Sequence, residues 1–189
     1  MKRVIIVHCW SGYPDYCWYP ETKRALGKFG FEVSIPAMPQ TDMPNLSLWL
    51  PELRKVIGRP DQDLFLVGHS AGAVTILRYL ESLAENQRIG GAVLVAPFIN
   101  DLGHPELANF FLNPLDFNKI SSHTGKMVLI ESDDDPLIPL LHGVILKEKL
   151  GAELIIKHKM QHFSGPIGQE DSCTLLPDVA ERVKEMASG

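Results

Sequence analysis

The chain has 189 residues, 45% of them hydrophobic and 22% charged, with a formal net charge of −5. That apolar content excludes an intrinsically disordered chain, and 15 Gly and 14 Pro exclude collagen-like or low-complexity character. A pI near 5.8 gives no general attraction to nucleic-acid backbones or anionic lipid, so neither nucleic acid nor membrane is expected as a partner.

The first apolar run, residues 4–8, reads as a buried strand. Met1-Lys2-Arg3 precedes it, but the run is too short for a signal peptide, and no later stretch approaches the roughly 20 apolar residues of a membrane span. Cys9, Cys17 and Cys173 are odd in number and irregular in spacing, unlike a disulfide framework or a zinc site. A cytoplasmic location and no metal are therefore expected.

Further along, a helix over 19–29 leads to a strand at 31–35, and a helix over 46–57 to a strand at 64–68. A helix over 71–85 and a strand at 92–96 follow, then a strand at 127–131, a helix over 140–150, a strand at 154–158 and a helix over 177–187. The strand runs are continuous rather than alternating, as expected of buried strands covered by helices on both faces. Strand alternating with helix implies parallel strands joined by right-handed crossovers, hence one three-layer α/β domain over 1–189. The long interruption at 97–126, with Phe98, Phe110, Phe111, Leu112, Leu115 and Phe117, implies either extra packing over a sheet edge or a ligand-facing flap.

The strongest chemical signal is Gly68-His69-Ser70-Ala71-Gly72, a G-x-S-x-G pattern with an apolar strand before it and a helix after it. Such a turn projects the serine hydroxyl above the sheet, and its two glycines let neighbouring backbones approach. Ser70 would then sit at a helix N-terminus, where free N–H groups favour developing negative charge. His69, inside the motif, should point away from Ser70 and reads as structural. A serine nucleophile needs a base held by an acid, and in this kind of fold both follow it along the chain. Two late histidines lie at or beyond the last strand: His158 at its end and His162 in the following loop, where His162 is the better base. For the acid, Asp133, Asp134 and Asp135 all follow a strand end, Asp101 is a rival, and spacing does not choose among them. Cys9 and Cys17 occupy no strand-to-helix turn matched to a base, which argues against either as the nucleophile.

Several further segments accompany the serine motif: Trp18-Tyr19-Pro20, Ala37-Met38-Pro39, Trp49-Leu50-Pro51, Asp101-Leu102-Gly103, residues 133–139 and Gln161-His162-Phe163. Together they resemble the small serine hydrolases of the α/β-hydrolase superfamily, the group typified by retinoblastoma-binding protein 9 and the bacterial YdeN proteins. The resemblance implies a mostly parallel six-stranded sheet in the order 2-1-3-4-5-6 with no large lid. It also implies Asp135, directly before Pro136-Leu137-Ile138-Pro139, as the acid and His162 as the base. The loop after the first strand should supply one oxyanion-hole N–H, by position that of Trp10, with Ala71 supplying the other. In that loop Cys9 stands where the family usually has Gly, and Glu131 replaces a small residue found in some members.

The expected activity is hydrolysis of small or short-chain carboxylic esters, or related acyl substrates, through a Ser70-His162-Asp135 triad and an acyl-enzyme, without a cofactor. Trp18, Phe98, Phe111, Leu137 and Phe163, together with Trp10, are candidates for the wall of a substrate pocket. The alternatives are acyl transfer by the same residues, and a protein-binding module on a hydrolase scaffold with little turnover and an unidentified protein partner.

Overall fold

A computed structural model of the protein describes residues 1–165 and 173–189. Six strands form one sheet: β1 (Arg3–Val7), β2 (Glu32–Ser34), β3 (Leu64–His69), β4 (Ile89–Val95), β5 (Thr124–Ser132) and β6 (Glu153–Lys157). Their order is β2-β1-β3-β4-β5-β6, and every neighbouring pair is parallel. The order is the expected one, with all pairs rather than most of them parallel.

The four inner strands carry the unbroken apolar runs because helices cover both faces. Helices α1 (Tyr19–Gly27) and α6 (Pro177–Ser188) lie together on one side. The other layer runs from α2 (Leu46–Ile57) through α3 (Ala71–Glu81) and α4 (Phe117–Ser122) to α5 (Leu141–Leu150). The outer strands differ from the sequence reading. β2 and β6 are only partly buried, and Ile156 is exposed, because an edge strand lacks a neighbour on one side.

Residues 97–126 hold a short 3-10 helix (Pro105–Phe110) and α4 before running into β5. The segment is strapped to α3 by one buried arginine. Arg78 Nε donates to Phe110 O at 2.8 Å, its other nitrogens reach Asn113 O and Pro114 O, and it pairs with Glu81 at 2.7 Å. Glu81 in turn accepts the Asp116 N–H at 2.7 Å. Phe110, Leu115 and Ile120 are buried beneath this strap, while Leu102 and Leu107 face a cavity above the sheet. The interruption is therefore packed at its far end and lines a cavity at its near end.

Candidate active site

The parallel register sets β1 and β3 side by side, with Val7 opposite Gly68, so both chains leave the same edge of the sheet together. At the end of β3 the backbone turns sharply into α3 through Ser70, whose φ of 54° and ψ of −119° are unfavourable for any residue with a Cβ. The turn is held by Ser70 N–H donating to Val95 O at 2.9 Å, and by the Ala73 and Val74 N–H groups on Ser70 O. The flanking glycines are steric necessities. A Cβ on Gly68 would lie 2.5 Å from Ala73 Cα, and one on Gly72 would lie 2.2 Å from Val7 O. Gly72 thus lets the start of α3 press against the end of β1. The Ala71 N–H, in the first turn of α3, donates to nothing among the described residues.

The loop after β1 meets this helix end. His8 is buried and accepts the Met38 N–H on Nε2 at 3.0 Å, so its proton sits on Nδ1, 2.8 Å from Cys9 O. Burial keeps it neutral by lowering its pKa. Cys9 O also accepts the Gly12 N–H at 3.0 Å, Ser11 N–H reaches Thr41 O at 2.9 Å, and the Trp10 indole donates to Asp42 O at 3.1 Å. Of the backbone N–H groups of Cys9, Trp10, Ser11 and Gly12, only that of Trp10 has no acceptor among the described residues. Cys9 is among the residues lining the cavity, but burial pushes its thiol up to about 11, away from thiolate chemistry.

The three adjacent aspartates after β5 diverge, each to a different point of the 158–162 loop. Asp133 takes His158 Nδ1 at 2.5 Å and the Lys159 N–H at 3.1 Å. Asp134 accepts the Ser132 hydroxyl at 2.7 Å and the Gln161 N–H at 2.9 Å, while Ser132 Oγ accepts the Met160 N–H at 3.0 Å. Asp135 Oδ2 lies 2.8 Å from His162 Nδ1, and its Oδ1 accepts the N–H groups of Leu137 and Ile138. The Asp135 side chain is fully buried and that of His162 is 6% exposed, whereas His158 lies out in solvent. Asp101 is engaged elsewhere, its Oδ1 accepting the Gly103 N–H.

Ser70, Ala71, Trp10 and His162 all line one cavity of about 400 Å³. Ser70 Oγ makes no hydrogen bond to His162 among the described residues; such contacts commonly tighten only when substrate binds. Of the pocket candidates, Phe98 and Leu137 line this cavity. Trp18 and Phe163 are fully buried and lie outside its lining: the Trp18 indole donates to Phe163 O at 3.0 Å. Phe111 stacks behind Phe98 at 5.7 Å. Tyr16, Leu102, His104, Leu107 and Ile138, with Ser11 and Ser164, also line the walls, and none of them was a candidate from the sequence. Among them His104, which meets Trp10 edge-on at 5.8 Å, carried no pattern that marked it.

A parallel sheet with a serine on a strained strand-to-helix turn, sharing a cavity with the histidine of a histidine–aspartate pair brought in from two later strand ends, is the arrangement of an α/β-hydrolase. The sequence pattern of the serine hydrolase family matches residues 4–174, and the chain belongs to that family. It is 30% identical over 179 residues to YdeN of Bacillus subtilis (strain 168), covering 94% of this chain and 92% of that protein. It is 27% identical over 149 residues to the serine hydrolase RBBP9 of Rattus norvegicus, covering 77% of each. The crystal structure of the B. subtilis ydeN gene product superposes over the whole of both chains with a TM-score of 0.91 at 29% identity. Est1E of Butyrivibrio proteoclasticus, solved with ferulic acid bound, shares the fold at a TM-score of 0.80 and 14% identity, covering all of this chain and 90% of that one. Among the described residues no helix is long and apolar enough to cross a membrane.

Proposed function

We propose that the protein hydrolyses small or short-chain carboxylic esters through Ser70, His162 and Asp135. Ser70 Oγ attacks the acyl carbonyl as its proton passes to His162 Nε2, while Asp135 holds the Nδ1–H and stabilises the imidazolium. The N–H groups of Ala71 and Trp10 receive the oxyanion. His162 then protonates the departing alcohol, and water deprotonated by the same imidazole opens the acyl-enzyme to release the acid.

The observation that carries this reading is the buried His162–Asp135 contact, whose His162 lines the same cavity as the strained Ser70. Two otherwise unpaired backbone N–H groups at the same cavity support it. Small substrates are favoured because about 400 Å³ is near the low end of the roughly 300–1,000 Å³ typical of ligand sites. The walls are largely apolar, supplied by Phe98, Leu102, Leu107, Leu137 and Ile138.

The test is a series of p-nitrophenyl esters from acetate to dodecanoate. The expected kcat/KM peaks at short chains and falls at least 1,000-fold in Ser70→Ala, an order of magnitude in keeping with loss of a nucleophile. Turnover by Ser70→Ala at the wild-type rate would overturn the assignment, and a peak at the longest chains would overturn the substrate class.

A further inference from the structure

We propose that Tyr19 and His69 are a positioning pair that ties the loop carrying Trp10 to the loop carrying His162, and so sets turnover without touching substrate. The inference rests on the serine-hydrolase reading of Ser70, His162 and Asp135 above. Both side chains are fully buried, and neither lines the cavity.

The connection is a single chain of hydrogen bonds in which each proton has one assignment. His69 Nε2 lies 2.8 Å from His162 O, and a carbonyl only accepts, so the His69 proton is on Nε2. His69 Nδ1 is then bare and accepts the Tyr19 hydroxyl at 2.7 Å. Tyr19 Oη, having given its proton away, accepts the Cys9 N–H at 3.1 Å. The chain therefore runs from Cys9, next to the free Trp10 N–H, through Tyr19 and His69 to the backbone of His162, and His69 is the residue just before Ser70. Burial, and then the neighbouring His162, hold the His69 pKa well below the usual histidine range, so this ring stays neutral. A neutral ring 5.1 Å from the His162 ring adds no positive charge against the imidazolium that forms during catalysis.

The tie is needed because the His162 loop is locally unfavourable. Gln161 and Phe163, on either side of His162, have φ of 48° and 53°, conformations that persist only where surrounding structure imposes them. The aspartates after β5 hold the loop from one side. The segment entering α1 holds it from the other: Tyr16 Oη accepts the Gly165 N–H at 2.6 Å, Trp18 donates to Phe163 O, and Tyr19 works through His69. The sequence marked His69 only as a structural member of the serine motif; its contacts give it this further role.

The test uses Tyr19→Phe and His69→Gln. The first removes one hydroxyl; the second keeps a donor able to reach His162 O but loses the paired geometry toward Tyr19. Active sites are titrated with a fluorophosphonate, and kcat per titrated site is measured on p-nitrophenyl acetate. A purely structural role would lower the titrated fraction and leave kcat per site unchanged. A positioning role lowers kcat per site by about 10- to 100-fold with KM within about twofold, since small displacements of reacting groups have effects of that order. A fall of less than about fivefold in every variant that folds, or loss of folding in both, overturns the proposal while leaving the triad assignment intact. Failure of the wild type to label removes the serine-hydrolase reading itself, and this inference with it.

Discussion

Glu131→Gln should stabilise the protein, and by an amount that grows with pH. Glu131, the penultimate residue of β5, has none of its surface exposed, and neither carboxyl oxygen has a hydrogen-bond partner among the described residues. The side chain presses on α5 at Gly143, where an added Cβ would lie 2.6 Å from Oε1. Burial first, and then the negative charge of Asp135, push this carboxyl up to about 9 from an ordinary 4.5. The folded state therefore keeps a proton that the unfolded chain releases. Its contribution to stability is whole below about pH 4.5 and is lost progressively as pH rises toward 9. At about 1.36 kcal/mol per pH unit, the interval from 4.5 to 7 amounts to roughly 3 kcal/mol.

Gln has the shape of the neutral acid and does not titrate, so Glu131→Gln should recover about 3 kcal/mol at pH 7 and under about 1 kcal/mol at pH 5. For a chain of this size, that is a rise in Tm of roughly 6–12 °C at pH 7. Thermal and urea unfolding of both proteins at pH 5, 7 and 8 measures it. A stability difference that does not change with pH, or a variant less stable than wild type at pH 8, would refute the reasoning.

Other substitutions follow from the same geometry. Asp135→Asn should lower kcat on a short ester by roughly 1,000- to 10,000-fold, by analogy with other triads. Asp101→Asn should stay within about twofold, and the reverse pattern would move the acid. Arg78→Met strips the donors from the carbonyls of Phe110 and Asn113 and leaves the part-buried Glu81 with the Asp116 N–H but no cation, so urea unfolding should show a loss of about 3 kcal/mol or more. A loss under about 1 kcal/mol would mean that the strap on residues 97–126 is not held by this side chain. Leu137→Trp narrows the cavity at an exposed position on its rim, and should lower kcat/KM more steeply for octanoate than for acetate esters. Equal losses on both would show that Leu137 does not meet the acyl chain.

The central sheet was legible because β1, β3, β4 and β5 are buried on both faces and so are apolar at consecutive positions. The same reasoning overstated the burial of β2 and β6, since a short apolar run does not reveal whether a neighbour lies on each side. The 3-10 helix and α4 could not be located within 97–126 because one or two turns give no measurable period, although an interruption of that length commonly holds short helices. Ser70 was legible because strain, glycine spacing and helix start are encoded within a few residues. The aspartate choice was not, because Asp133, Asp134 and Asp135 differ in what they reach some 25 residues further along the chain, which no local pattern records. Trp18 and Phe163 have the same apolar character as Phe98, so composition alone cannot separate residues packed behind the cavity from those that line it. The Cys9–Tyr19–His69–His162 chain joins four sequence regions and exists only once the sheet has aligned their loops.

Treatment of the folded protein with a fluorophosphonate, followed by intact mass, tests the central assignment most directly. The triad predicts one adduct per chain on the wild type and none on Ser70→Ala. A folded wild type that takes no adduct, or a Ser70→Ala variant that still takes one, would contradict it.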